Sequence, residues 1–267
     1  MVFHIQADRQ TVTTVSKTLK IGMRQLLHIF ISFNVRLSRV IDRWFPQFVE
    51  AKSYKDQLLH CAYNVINERG ACSVLEVGGI DRPLLQRSET IRYDGLDIEY
   101  KPQCENIYDN FFVQSIEKPV KYKYDMVISM ALLEHVRDND ASVTQMYEAL
   151  KPSGYAIHYL PSKYHPYAII LRLVSPKWQV RLIKTLRPWA VETTGYPAFF
   201  DRSSPMEMRT LFNCKGFQSV ETMSFFRAND YFRFFVPLYM GVSLWENICN
   251  KFKWEQLCSG FIIIAQK

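Results

Sequence analysis

Several features that would assign this sequence to a specialised class are missing. Its six cysteines form no CxxC pair and stand near no histidine cluster, so no metal site is expected. Scattered cysteines are typical of buried thiols in a reducing compartment. The longest uncharged apolar run, Phe234 to Trp245, is too short to span a bilayer.

A secretory signal is also missing, because the N-terminus has no short apolar run followed by small residues. The default expectation is therefore a cytoplasmic protein, either free or peripheral to a membrane. No internal repeat and no low-complexity stretch occurs. The composition, 48% hydrophobic and 22% charged, argues against disorder. The length of 267 residues fits one large domain with an additional segment at one end.

Charge is distributed unevenly along the chain. Residues 1–70 carry ten basic and five acidic side chains, residues 71–160 nine and fourteen, and residues 161–267 fourteen and seven. A basic shell around an acidic centre favours an anionic partner, such as a phosphorylated lipid, a nucleic acid or a membrane face. Because no compact Lys/Arg run stands out, an ordinary solvated basic surface explains the charge equally well, and nucleic acid is not the expected partner.

The first 70 residues have a helical pattern. Residues 19–45 predict a helix whose apolar side chains recur at three- and four-residue steps: Leu26, Phe30, Phe33, Leu37, Val40 and Trp44. Four arginines fall off or beside that stripe: Arg24, Arg36, Arg39 and Arg43. This combination is typical of an interfacial helix, but a stripe packed on the sheet or across a dimer is an alternative. A second helix is predicted at 51–69, ending at Gly70, and residues 1–70 are interpreted as an N-terminal helical region.

After residue 70 the pattern changes to apolar strands that alternate with helices. Strands are predicted at residues 73–77, 91–98, 110–114, 124–129 and 155–160, with a helix from about Asp140 to Leu150 and a turn at 151–154. This alternation predicts a parallel sheet with right-handed crossovers.

The last hundred residues are less regular. A helix at 204–215 and strands near 218–226 and 259–266 complete the predicted domain, 71–267, whose cofactor half is 71–160. Two insertions rich in aromatic residues, 161–202 and 228–258, are predicted to form a lid. The second contains the aromatic run 231–240, which suits an apolar acceptor or a membrane surface, although such a run is also typical of a core.

A glycine turn follows the first strand. Glu76 precedes Gly78 and Gly79, and glycine lets the backbone approach a ligand without an intervening Cβ. Asp97 ends the second strand, 21 residues after Glu76, where an acidic side chain can accept hydrogen bonds from ribose hydroxyls. The alternative for Asp97 is a helix cap or an exposed strand end.

The ordered motifs resemble class I S-adenosylmethionine-dependent methyltransferases. The resemblance is carried by the segments 74–79, 95–98, 124–129, 133–136 and 150–154, in order and spacing. It implies an α/β fold with a doubly wound, Rossmann-like, seven-stranded and mostly parallel sheet, and S-adenosylmethionine as the cofactor. The sequence departs from the family pattern where Ile80 and Arg82 replace glycines in the first turn, where Ser153 precedes Gly154, and where Gln114 replaces an acidic residue.

The resemblance assigns cofactor contacts to eight positions: Glu76, Gly78, Gly79, Asp97, Gln114, Ser115, Ser129 and Met130. The glycine turn would approach the amino-acid end of the cofactor, and the acidic residue after the second strand would hold the ribose. Gln114 and Ser115, after the third strand, would read the adenine, since a glutamine can both accept and donate hydrogen bonds. Ser129 and Met130, which end the fourth strand, would lie near the methionine part of the cofactor and the reacting methyl.

His135 is the candidate catalytic base, because a histidine can take a proton near neutral pH. The alternative is that Glu134 and His135 form a structural signature that caps the following helix. His158, Tyr159, Tyr164 and His165 lie at or after the fifth strand, where they could line the acceptor site.

Three functions are compatible with these patterns. The first is methyl transfer to a small-molecule, glycan or lipid-type acceptor, with peripheral membrane contact where the acceptor is a lipid. The second is a nicotinamide-dependent oxidoreductase, which also uses a glycine turn and an acidic ribose ligand. The third is a non-catalytic, methyltransferase-like binding module. The sequence does not specify an oligomeric state.

Overall fold

A computed structural model describes residues 9–45, 53–174, 178, 181, 184 and 196–267. The described residues form two compact units. The first unit contains the N-terminal helix and residues 229–243, and the second contains the described residues from 53 to 228 and from 244 to 267.

The second unit is built on a seven-stranded sheet in the order β3-β2-β1-β4-β5-β7-β6. The strands are β1 (Cys72–Val77), β2 (Ile91–Asp97), β3 (Asn110–Val113), β4 (Tyr124–Met130), β5 (Leu150–Pro161), β6 (Ser219–Phe225) and β7 (Gly260–Gln266). The first five strands pair in parallel, and β7 runs antiparallel between β5 and β6. The predicted doubly wound, mostly parallel sheet is confirmed.

Helices connect and cover the strands. They are α1 (Arg9–Trp44), α2 (Tyr54–Arg69), α3 (Cys104–Ile107), α4 (Asn139–Ala149), α5 (Pro166–Leu173), α6 (Pro205–Cys214) and α7 (Val236–Lys251). Short 3-10 turns occupy Leu133–His135, Asn229–Phe232 and Glu255–Leu257. In the described ranges no helix has the length and apolarity needed to cross a membrane.

The sheet is buried on both faces, which explains why its strands read as continuous apolar runs. On one face α2 packs against β4, β5 and β7, with four buried side chains: Leu58, Ala62, Val65 and Ile66. On the other face α4 packs against β4 and β5, and α6 packs against β6 and β7. Since α2 belongs to the core of the sheet, the unit boundary lies before this helix, whereas the sequence interpretation placed it after residue 70.

The predicted elements differ from the structure in their bounds. The helix predicted at 19–45 begins at Arg9, and the strand predicted at 155–160 begins at Leu150. The predicted turn at 151–154 is a strand irregularity, with Ser153 at φ 58° and a register shift between β4 and β5. Residues 51–52 of the predicted second helix, and 175–177, 179–180, 182–183 and 185–195 of the first insertion, lie outside the described residues.

The first unit is held by the side of α1 that carries Ile31, Asn34, Ser38 and Ile41, all buried. The Asn34 side chain accepts a hydrogen bond from the amide of Val236 at 3.0 Å. The predicted apolar stripe of α1 lies on a different side and is exposed. The aromatic segment 229–243 therefore pairs with α1 within this unit, and the predicted lid role of both insertions stays a prediction.

Candidate functional site

The candidate site lies where the strand order reverses, at the carboxyl ends of β1, β2 and β4. Val77 of β1 is paired with Leu96 of β2 and with Ser129 of β4. The residues that follow these three, Gly78, Asp97 and Met130, therefore emerge side by side at one edge of the sheet. Open α/β sheets bind ligands in the crevice at such a switch point.

Both glycines of the turn occupy positions that a side chain would disturb. Gly78 has φ 87°, and a Cβ there would lie 2.8 Å from the Leu132 Cδ1 atom. A Cβ at Gly79 would collide with the Glu76 carboxylate and the Tyr108 hydroxyl. The turn is thus closely packed against the protein at these two positions, and only glycine fits there.

Glu76 points into the protein and shapes this turn. Its carboxylate accepts hydrogen bonds from the amide of Leu84 at 3.0 Å and from the hydroxyls of Tyr93 and Tyr108. Burial raises the pKa of Glu76 to about 8. Any effect of Glu76 on a bound cofactor acts through the loop that it holds.

Asp97 is half-buried at the end of β2. One carboxylate oxygen accepts a hydrogen bond from the amide of Glu99 at 2.9 Å, and burial raises the pKa of this carboxyl. The Asp97 carbonyl accepts from the amide of Gln114 at 2.8 Å, which joins the ends of β2 and β3. Its predicted role toward ribose stays a prediction.

The predicted adenine-reading pair makes local contacts after β3. The Gln114 side-chain amide donates to the carbonyl of Pro119 at 3.1 Å. The Ser115 hydroxyl donates to Glu117 at 2.8 Å and accepts from the Glu117 amide. One N–H of the glutamine amide is engaged, so adenine would be read through the second N–H or the carbonyl oxygen of that side chain.

Ser129 directs its hydroxyl away from the glycine turn. It lies 2.8 Å from Nδ1 of His158, the residue opposite it in β5, and both side chains are fully buried. Burial lowers the pKa of His158 to about 3. Met130 is partly buried against the other face of the sheet. A contact of Ser129 with a cofactor would therefore be made by its backbone.

His135 is oriented by the protein backbone. Its Nδ1 atom lies 3.1 Å from the carbonyl oxygen of Pro197. Because a carbonyl oxygen can only accept, the proton of neutral His135 resides on Nδ1, and Nε2 keeps its lone pair. Burial lowers the pKa of His135, which favours this neutral form. The side chain keeps 33% of its exposure, so it remains accessible from solvent.

Glu134 lies beside this histidine in a dry environment. Its Oε1 atom is 3.7 Å from Nε2 of His135, and burial raises its pKa to about 8. Its Oε2 atom is buried without a hydrogen-bond partner among the described residues. The alternative that Glu134 and His135 cap the next helix is wrong, because Asp138 caps α4 by accepting from the amide of Ala141.

Residues 196–200, here called the strap, belong to the insertion 161–202, which the sequence predicted as part of a lid. The Tyr196 hydroxyl hydrogen-bonds Glu99, which raises the pKa of Tyr196 to about 12. The amides of Phe199 and Phe200 donate to the Glu134 carbonyl at 2.7 and 3.0 Å. The strap thus joins the loop after β2 to the loop after β4. The sequence signal that could have indicated the strap is the dipeptide Tyr196-Pro197.

Other candidate acceptor-lining residues have structural partners. His165 is fully buried, caps α5 through Nδ1 and lies 3.0 Å from Glu246. Tyr159 stacks on Tyr54 with ring centroids 4.1 Å apart. Over the described ranges, no three His, Cys, Asp or Glu side chains come together as metal ligands would.

The residues at the switch point fit S-adenosylmethionine. The glycine turn follows β1 at this edge of the sheet, and an acidic side chain stands at the next strand end for a ribose. Glu134 adds a buried carboxyl oxygen without a partner among the described residues, close to His135. A compact, mixed polar and apolar ligand suits these groups.

A family model described as a methyltransferase domain matches residues 34–222, most of the chain. The chain belongs to this methyltransferase family. The methyltransferase is an enzyme that uses S-adenosylmethionine, and this assignment does not support the nicotinamide-dependent or the non-catalytic alternative. No curated protein sequence matches it.

Solved structures similar to this methyltransferase include three transferases. A phosphoethanolamine N-methyltransferase of Haemonchus contortus is 13% identical, with 79% of this chain and 52% of that chain covered and a TM-score of 0.47. A methyltransferase of Archaeoglobus fulgidus is 15% identical (86% and 99% covered, TM-score 0.48). An N-methyltransferase of Bradyrhizobium japonicum is 12% identical (80% and 85% covered, TM-score 0.45). The chain spans about half the length of the Haemonchus enzyme, and none of these similarities identifies the acceptor.

Proposed function

We propose that this methyltransferase methylates an oxygen or nitrogen atom of a small-molecule, glycan or lipid-type acceptor at the carboxyl edge of β1, β2 and β4. The observation that carries the proposal is His135, which lies in the loop after β4 and is oriented by the carbonyl of Pro197. An oriented, neutral imidazole is a proton acceptor, and oxygen and nitrogen acceptors lose a proton on methylation.

The protein's part in the reaction is mainly positional. When bound, S-adenosylmethionine supplies an activated methyl group, so that alignment of the acceptor provides much of the acceleration. The turn at Gly78 and Gly79 would border the amino-acid end of the cofactor, and Asp97 its ribose. Gln114 and Ser115 would border the adenine.

His135 would take the acceptor's proton at Nε2. The carbonyl of Pro197 holds the ring in the tautomer that leaves this nitrogen free to accept. The neighbouring Glu134 carboxyl, with its pKa raised by burial, is uncharged at neutral pH and leaves the imidazole neutral. The basic charge of the chain and the exposed α1 stripe further support peripheral membrane contact with a lipid-type acceptor.

Transfer of labelled methyl groups tests the proposal. The enzyme is incubated with S-adenosyl-[methyl-³H]methionine and an extract of the source organism, separated into chloroform-soluble and water-soluble fractions. We expect label in one fraction, dependent on His135, and label in the chloroform phase would identify a lipid-type acceptor. An enzyme that binds S-adenosylmethionine by calorimetry but labels neither fraction would contradict the proposed acceptor classes.

A further inference from the structure

The second half of α1 exposes a row of large apolar side chains. Leu26, Phe30, Phe33, Leu37, Val40 and Trp44 recur at three- and four-residue steps and share one side of the helix. The exposed fraction is 68% at Leu26, 63% at Phe33 and 74% at Trp44. Scattered exposed apolar residues are ordinary, but a continuous row marks an interaction surface.

This row, called the apolar face below, does not hold α1 in its unit. The packing side of the helix is the one that carries Ile31 and Ile41, which are buried. The segment packed there extends the apolar face, because the ring of Phe235 lies 6.4 Å from that of Phe30 and is itself 42% exposed. The apolar face therefore remains available after the unit has folded.

A row of arginines borders the apolar face. Arg36, Arg39 and Arg43 are exposed and recur at three- and four-residue steps. Each directly precedes a residue of the apolar face, so the arginine row lies about 100° around the helix from it. Among the described residues, none of the three arginines forms an ion pair or a side-chain hydrogen bond.

The two acidic residues in the described part of this unit share one arginine as their ion-pair partner. Arg233 forms ion pairs with Asp42 and with Asp230, both at 2.7 Å, and these are the acidic residues in the described part of the unit. The helix Arg9–Trp44 contains seven Lys and Arg residues and one acidic residue. The unit consequently presents a positive charge beside its apolar face.

We propose that the apolar face of α1 docks on a bilayer that contains anionic lipid, with the helix lying in the plane of the membrane. Apolar side chains enter the headgroup boundary, and the arginine row meets the anionic headgroups. A second copy of the chain is a poorer occupant, because it brings the same positive charge to this surface, whereas an anionic bilayer brings the opposite charge. The proposal rests on the proposed function only in that membrane docking serves a lipid-type acceptor.

Flotation of the full-length protein with vesicles tests the docking. We expect binding to vesicles of phosphatidylcholine with phosphatidylserine, no binding to phosphatidylcholine alone, and release as sodium chloride is raised, since salt screens exposed charges. Absence of binding to the phosphatidylserine vesicles at low salt would overturn the proposal. Equal binding to both vesicle types would overturn the role of the arginines.

Charge variants locate the contact. Replacing Arg36, Arg39 and Arg43 by Gln should weaken binding on the order of 10²-fold, at about 1 kcal/mol for each basic residue near the surface. The matched control replaces three exposed lysines of the other unit by Gln, with the same loss of charge: Lys118, Lys251 and Lys253. An equal loss in the control triple would overturn the assignment to α1.

Apolar variants and Trp44 provide independent readouts. The variant F33S/L37S should lose flotation. Brominated lipid should quench the tryptophan fluorescence of the wild type but not that of Trp44→Phe. A dimer that F33S/L37S converts to monomer by light scattering, together with no flotation of the wild type, would show the second-copy alternative instead. Calorimetric binding of S-adenosylmethionine, unchanged in every variant, separates failure of docking from failure of the proposed function.

Discussion

The main-chain amide of Leu84 donates a hydrogen bond to the buried carboxylate of Glu76 at 3.0 Å. This contact ties the end of β1 to the loop that follows its glycine turn, and the hydroxyls of Tyr93 and Tyr108 complete the carboxylate's hydrogen bonds. Glu76, which the family resemblance connects with the cofactor, is therefore held inside the protein, where it fixes the loop after β1. The packing around its carboxylate depends on residue 79.

The Glu76 carboxylate and the Tyr108 hydroxyl fit beside residue 79 only because glycine has no Cβ. Gly79→Ala should destabilise the protein by about 1–3 kcal/mol, because the new Cβ overpacks the Glu76 carboxylate and the Tyr108 hydroxyl. The control Gly241→Ala has no atom within 4 Å of its new Cβ and should stabilise α7 by up to about 1 kcal/mol. Urea unfolding of both variants measures the difference. Equal stabilities would contradict the packing.

Glu134 should make stability depend on pH. Burial raises its folded pKa to about 8 from an ordinary value of 4.5, so between these values the folded state holds a proton that the unfolded state has lost. Its contribution to stability therefore falls as pH rises from about 4.5 to about 8. Glu134→Gln should flatten this part of the pH–stability curve relative to wild type. An unchanged slope in urea titrations at several pH values would show that Glu134 is ionised in the folded protein.

His135 should act as a base without holding the cofactor. His135→Ala should lower turnover on the order of 10²-fold and leave S-adenosylmethionine affinity nearly unchanged by calorimetry. Because burial lowers the pKa of His135, the wild-type kcat/KM should rise with pH through an inflection below 6.5 and then level off. The methyl-accepting fraction of the labelling experiment serves as substrate. Full activity of the alanine variant would reduce His135 to a structural part.

Asp97 should contribute to cofactor affinity. Asp97→Ala should weaken S-adenosylmethionine binding by about 1–3 kcal/mol, the cost of leaving ribose hydroxyls unpaired, and the fold should survive because the residue ends a strand. Glu89→Ala, an exposed acidic residue before β2, is the matched control and should bind normally. Calorimetry on folded protein decides, and normal affinity in Asp97→Ala would remove the ribose assignment.

The sheet was predictable from sequence because its strands are buried on both faces. Val74, Leu75 and Val77 belong to the two cores on opposite sides of β1, so their strand is a continuous apolar run that stands out in the sequence. The glycine turn and Asp97 were predictable for a related reason, since strand ends in parallel sheets recur at regular spacing.

Contacts between distant segments were not predictable in this way. The hydroxyl of Ser129 turns to His158 because β4 and β5 adopt one particular register, which no local pattern specifies. Likewise, the apolar stripe of α1 left open whether the helix packs through it or lies at an interface, whereas the buried side of the helix carries Asn34 and Ser38. A polar side chain with an internal hydrogen bond reads in sequence like an exposed one.

The partner that orients His135 is a main-chain oxygen, and this affects how the site responds to mutation. Every amino acid at position 197 supplies the same carbonyl group, so alanine scanning of the strap would leave the hydrogen-bond acceptor in place, and residue 197 could vary among relatives while the tautomer persists. Chemical replacement of the amide between Pro197 and Ala198 by an ester makes that oxygen a weaker acceptor. The basicity of His135 is thus set by a main-chain carbonyl that is the same for any amino acid at position 197. Changing the backbone at this position alters the hydrogen bond, whereas replacing the side chain does not.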